Sequence, residues 1–186
     1  MQRSTLKTMW VEDAETYKPR KPDDITGVVV HRIEVSQEDV DYADTPVDII
    51  RFFRDHPTGV EATGGKMPYP ILIAADGTVT QTVPLGCITP HAKAHNADKI
   101  GVACIGDFRN QRLPAAQRRG FIRVVTDVMR LCNLEATCLH GHDELSDASE
   151  DPDKECPGHA MDLPWLRDSI AMSVEQAKCA IYDLKW

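Results

Sequence analysis

"ITGVVVH", residues 25–31, is a β-branched apolar run closed by a histidine. Such a run makes a strand buried in a sheet rather than one that shows a wet face. Outward from it, elements of both kinds follow. "DTPVDIIRFFRDHPTG" (44–59) reads as a helix, with Thr45 as cap, Pro46 at the first helical position and Gly59 past the end. Ile49, Ile50 and Phe53 share one of its faces. "YPILIAADGTVTQTVP" (69–84) is a hairpin whose apolar arms flank the tight-turn pair Asp76-Gly77. "KIGVACIGDF" (99–108) is a second buried strand.

"LPAAQRRGFIRVVTDVMRLCN" (113–133) is a helix, because Phe121, Val124, Val125, Val128, Leu131 and Cys132 fall on one stripe. "ATCLHGH" (136–142) reads as a short strand. A last helix starts near Asp162 and buries Leu166, Ile170, Val174 and Ala177. Helices between strands, plus one hairpin, give a single α/β domain on a mixed central sheet flanked by helices. Residues 1–24 read as a polar N-terminal arm and 25–186 as the domain.

The chain has 186 residues, 42% hydrophobic and 27% charged, enough for one domain with a real core. No apolar run approaches a bilayer span, and residues 1–24 lack the apolar segment of a classical secretory signal. A net charge of -8 disfavours nucleic acid and strongly anionic polymers as partners. Neither nucleic acid nor membrane is expected as a partner, and the chain is expected to be a monomer. The six cysteines form no pair of CxxC motifs, so free thiols in a reducing compartment are the default. Cys132 and Cys138 could bridge in an oxidising one.

"LHGHDELSDASEDPDKECPGH" (139–159) gathers histidines, an acidic run, a lysine and a cysteine. His31 ends the first strand, His142 lies just past a strand end, and Cys156 precedes the rigid turn Pro157-Gly158. Two imidazoles and one thiolate are a known open catalytic zinc set, with water in the fourth position. The plain alternatives are a hydrogen-bonded core histidine for His31 and a buried structural cysteine for Cys156. His140 shares a strand face with His142, so an HxH pair is a rival ligand set. His56 ends a helix, where it would meet the last carbonyls. The acidic run lacks the glycine and closing glutamate of an EF-hand, so a solvated loop is the better reading.

Five of these motifs stand in sequence: "VVVH", the tyrosine-led hairpin, "HAKAHNADKIGVACIGDF", "GHDEL" and "KECPG". In that order, over roughly residues 25–170, the chain resembles the zinc-dependent N-acetylmuramoyl-L-alanine amidases, a family that includes amidase-type phage lysozymes and shares its fold with peptidoglycan recognition proteins. The resemblance implies a single zinc ion held by His31, His142 and Cys156. It implies catalytic roles for Tyr69 and Lys154, and places His91 and Asn96 as substrate-binding residues along the groove. Peptidoglycan and its muropeptides are the implied partners. The implied reaction cuts the amide between N-acetylmuramic acid and L-alanine, as a phage-type endolysin held in the host cytoplasm until release. Alternatives within the resemblance are a binding module without catalysis and a cytoplasmic muropeptide-recycling amidase. That last branch uses aspartate as its third ligand, where this chain has Cys156. The chain also departs from the family pattern in its longer acidic loop, 143–153, and in Pro70, where many relatives carry histidine.

Overall fold

The computed structural model describes residues 6–8, 14–33, 45–145, 155–176 and 184–186. Its strands are β1 (Leu6–Thr8), β2 (Gly27–Ile33), β3 (Ile71–Ile73), β4 (Val79–Gln81), β5 (Lys99–Ile105) and β6 (Leu139–Gly141). Its helices are α1 (Pro46–Asp55), α2 (Pro57–Thr63), α3 (Ala115–Leu131) and α4 (Leu163–Gln176). The strands form one mixed sheet in the order β1-β4-β3-β5-β2-β6. Among the strands of the described residues, only the β3–β4 pair is antiparallel. Gly77 takes φ 85° at its turn, and the Asp76 carboxylate accepts from the Thr78 amide at 2.8 Å.

β2 and β5 are buried along nearly their whole length, as β-branched strands in the middle of a covered sheet should be. Alternation then divides their side chains between two layers. Val28 and Val30 pack under α3 and α4 with Val102, Phe121, Val124, Val128, Leu166 and Ile170. Ile33, Leu72, Ala103 and Ile105 face the other way, against Ile49 and Ile50 of α1. His31 has the parity of Ile33, so it emerges on the α1 side.

Several expectations are corrected here. Gly59 does not end a helix. After α1 the chain turns at His56 and runs on into α2, and Gly64 at φ 67° closes that second helix. His56 does not use its ring on the carbonyls of α1. Its Nδ1 accepts from the Thr58 amide at 3.3 Å, capping α2, which places the same side chain at a start rather than an end. Residues before β2 also take part in the packing. β1 pairs with β4, Tyr17 and Arg20 are buried, and the Arg20 guanidinium donates to the Leu85 and Asn96 carbonyls at 2.9 Å each. In α4, Leu166 and Ile170 are buried and Val174 is half-buried against the core, while Ala177 lies outside the described residues. Cys132 and Cys138 are both free thiols.

Candidate metal centre

β2 and β6 run parallel, with Val30 opposite Gly141. The next residue of each segment is a histidine, within β2 for His31 and just past β6 for His142, so the register delivers the two side by side. Their ring centroids are 4.6 Å apart. Cys156 arrives from a loop tied back to the same place: its carbonyl accepts from the Asp143 amide at 2.7 Å. Gly158, at φ 100°, lies flat against the end of β5, where a Cβ would meet the Phe108 carbonyl at 2.5 Å. The Ala160 amide then donates to that same carbonyl at 3.1 Å.

One nitrogen from each histidine and the Cys156 sulfur all lie within 4.8 Å of one another. Among the described residues they form the only cluster able to hold a metal ion. His31 Nδ1 is 3.7 Å from Cys156 Sγ. Tetrahedral zinc bonded to one nitrogen and one sulfur holds them about 3.6 Å apart, so this pair has the spacing such an ion requires. His31 is 1% exposed. Burial, then the adjacent His91 and His142, holds its imidazole well below the ordinary 6.5, so it is neutral and ready to ligate. His140 is not in the cluster; it sits half-buried on β6 in the field of Lys99, Glu144 and Arg167. His159 is exposed, and His95 lies 3.8 Å from Asp98.

Around the cluster, the Tyr69 ring is 5.0 Å from His31, centroid to centroid. Burial, then the nearby Cys156, pushes its phenol upward, so at neutral pH it is a proton-bearing donor. His91 and Asn96 lie beside the cluster as well. His91 is 6% exposed and stands edge-on behind His31. Asn96 spends its side-chain oxygen on the amides of His91 and Ala92, at 2.8 and 2.7 Å. Lys154 and the acidic run after Leu145 lie outside the described residues.

One contributor was not anticipated. Arg32, next to His31 on β2, donates from Nε to the Glu155 carbonyl at 3.0 Å and from Nη1 to Asp107 at 2.8 Å. It joins the cysteine loop to the ends of both central strands. Hydrogen bonds, first of all from the Arg109 side chain, hold the Asp107 carboxyl at about 2, so this pairing persists through the neutral range. The available signal was an arginine inside an otherwise apolar strand, a place where a charge needs a specific partner.

The neutral His31 imidazole, the His142 imidazole and the Cys156 sulfur meet around one point near the C-terminal ends of parallel strands, a donor set that could hold a metal ion. A family model described as N-acetylmuramoyl-L-alanine amidase matches residues 21–159. The chain belongs to the N-acetylmuramoyl-L-alanine amidase family. No curated protein matches it by sequence. Solved structures share the fold at low identity, among them the following three. The N-acetylmuramoyl-L-alanine amidase LysC from Clostridium intestinale URNW is 19% identical, with TM-score 0.63, covering 89% of this chain and 97% of that one. The Ph2119 endolysin from Thermus scotoductus MAT2119 bacteriophage Ph2119 is 18% identical, with TM-score 0.66 and coverage of 89% and 98%. A tyrosine-to-phenylalanine variant of Drosophila PGRP-LB in complex with tracheal cytotoxin is 17% identical, with TM-score 0.59 and coverage of 84% and 89%.

Proposed function

We propose that this protein is a zinc-dependent amidase that hydrolyses the bond between N-acetylmuramic acid and L-alanine in peptidoglycan. The observation that carries the reading is the complete ligand set, His31, His142 and Cys156, within 4.8 Å. The endolysin and amidase neighbours, and a neighbour bound to tracheal cytotoxin, support peptidoglycan or muropeptides as the substrate class.

The chemistry a bound zinc ion supplies is Lewis acidity, which brings a water toward a pKa of ~7 and polarises a carbonyl. The chain's own residues do the rest. His31 and His142 would hold the ion through ring nitrogens and Cys156 through its sulfur, and burial already keeps the His31 ring neutral. Tyr69 keeps its phenolic proton and offers it as a hydrogen bond beside the cluster. Lys154, two residues before Cys156 in the sequence, is the proposed donor to the oxygen that becomes anionic during attack. Removing such a donor typically costs about 3–4 kcal/mol of barrier. In balance, water adds to the lactyl carbonyl carbon, the C–N bond breaks, and the proton lost by water goes to the departing alanine nitrogen. The products are a muramic carboxylic acid and a free stem peptide.

Mass spectrometry of digested murein, with metal analysis of the same sample, tests this. Free stem peptides with an intact N-terminal alanine and one zinc per chain are expected. Zinc-loaded protein that binds muropeptides and releases no peptide would instead make it a recognition module. With an acidic chain, thin murein with little anionic polymer is the proposed target.

A further inference from the structure

Behind the ligand cluster lies a second, fully internal contact. His31 Nε2 and His91 Nδ1 are 3.2 Å apart. On the far side of the same ring, His91 Nε2 is 3.1 Å from the carbonyl oxygen of Lys99. A carbonyl only accepts, so His91 must carry its proton on Nε2. Its Nδ1 is then a bare acceptor, which obliges His31 to carry its proton on Nε2. The Nδ1 lone pair of His31 is left free, and that is the atom 3.7 Å from the Cys156 sulfur. Read in the reverse order, the two bonds cannot both form between neutral rings.

We propose that His91 is a positioning residue: through the chain Lys99 carbonyl, His91, His31 it selects the His31 tautomer that can ligate a metal and fixes that ring's orientation. The inference deepens the zinc reading above and rests on it for the identity of the ion. The surroundings are shaped for the purpose. Gly101 is opposite Val29 on β2, one row below His31, and a Cβ there would meet the His91 ring at 2.8 Å. Only a glycine on β5 lets an imidazole lie across the strand at that point. Asn96 holds the backbone that presents the ring, through the amides of His91 and Ala92. A residue that orients a metal-bound histidine is commonly worth 10–100-fold in metal affinity.

Two measurements test it, neither of which uses substrate. In nitrogen-15 NMR of chelator-treated wild type, His31 and His91 should both appear as Nε2–H tautomers. Finding His31 protonated at Nδ1 would overturn the proposal, whatever the protein does to murein. Then zinc affinity is measured by chelator competition in His91→Phe, His91→Gln and Gly101→Ala. The phenyl variant keeps the ring and loses both hydrogen bonds, so zinc should bind about 10–100-fold more weakly. The glutamine amide can accept from His31 and donate to Lys99, so it should recover most of that loss. Gly101→Ala displaces the ring without changing a polar atom and should resemble His91→Phe. Wild-type affinity in both His91→Phe and Gly101→Ala would end the proposal. Zinc binding of the expected pattern in a protein that cleaves nothing would leave the relay standing and remove the amidase reading alone.

Discussion

Arg32→Met isolates what holds the cysteine ligand in place. Methionine keeps the aliphatic stem and the volume and deletes the guanidinium. Two interactions go. The first is the bond from Nε to the Glu155 carbonyl at 3.0 Å, one residue before Cys156. Bonds from a charged donor are worth about 1.5–3 kcal/mol. The second is the ion pair to Asp107 at 2.8 Å. Asp107 is 30% exposed and keeps Arg109, with Nη2 2.9 Å away, so this loss is at most about 1 kcal/mol. The loop retains two other anchors, Asp143 to Cys156 at 2.7 Å and Ala160 to Phe108 at 3.1 Å. The cysteine is therefore loosened rather than released. About 2 kcal/mol of lost ordering corresponds to roughly 30-fold in an equilibrium constant, and it should appear as weaker zinc binding in chelator competition. The turnover of zinc-saturated Arg32→Met on purified murein should fall far less. Zinc affinity within about twofold of wild type would show that the other two anchors suffice and that the structural role given to Arg32 is wrong.

Three other outcomes follow from the same geometry. Gly158→Ala places a methyl 2.5 Å from the Phe108 carbonyl at a φ of 100°, so the loop must shift; zinc content after dialysis should drop, and full stoichiometry would refute the close-packing account. Tyr69→Phe should keep zinc, since the phenol is not a ligand, and should lower kcat on muropeptide by about tenfold to a thousandfold if the hydroxyl donates in the transition state; an unchanged kcat removes that role. In the metal-free protein, burial and the neighbouring rings keep His31 below its ordinary 6.5, and His140 is also lowered, by burial first. The unfolded chain then binds protons before the native one as pH falls, so stability is full above about pH 6.5 and is lost below it. The Tm of chelator-treated protein should decline from about pH 7.5 to 5.5 and decline less in His31→Gln; a flat profile would contradict the burial argument.

The strands, the hairpin and α3 were legible because their signals are local: β-branched runs, an Asp-Gly turn and a 3.6-residue stripe. The gathering of His31, His142 and Cys156 was legible because the motifs that carry them resemble those of a known family. The family resemblance assigned His91 and Asn96 to the substrate groove, and residue type does not say which way a side chain points. Their direction depends on a glycine at 101 that opens space across β5, and on an amide-capping turn closed by Asn96 Oδ1. Arg32 was passed over for a related reason. Its partners, Asp107 and the Glu155 carbonyl, lie 75 and 123 residues away. The break at His56 escaped because Pro57 can either stop one helix or begin the next, and only packing chooses.

The site's position follows from strand parity and strand ends rather than from any one motif. β2 carries two kinds of residue in alternation: valines that must go under α3 and α4, and Val29, His31 and Ile33, which must go the other way. Moving His31 one place along β2 would turn it into the α3 layer, away from Tyr69, His91 and Cys156 together. The β2–β6 register does the same for His142, since Gly141 opposite Val30 puts the next residue of each strand at one level. A one-residue slip of β6 would present Gly141 or Asp143 instead of His142, on a short edge strand whose pairing spans only Leu139–Gly141. What pins that register is the Arg167 guanidinium, which donates to the Leu139 carbonyl at 2.9 and 2.8 Å and reaches Glu144, whose carboxylate accepts from the Gly141 amide. The face of α4 that buries Leu166 and Ile170 thereby also fixes the height of a ligand on the opposite side of the sheet, which couples core packing to the geometry of the metal site.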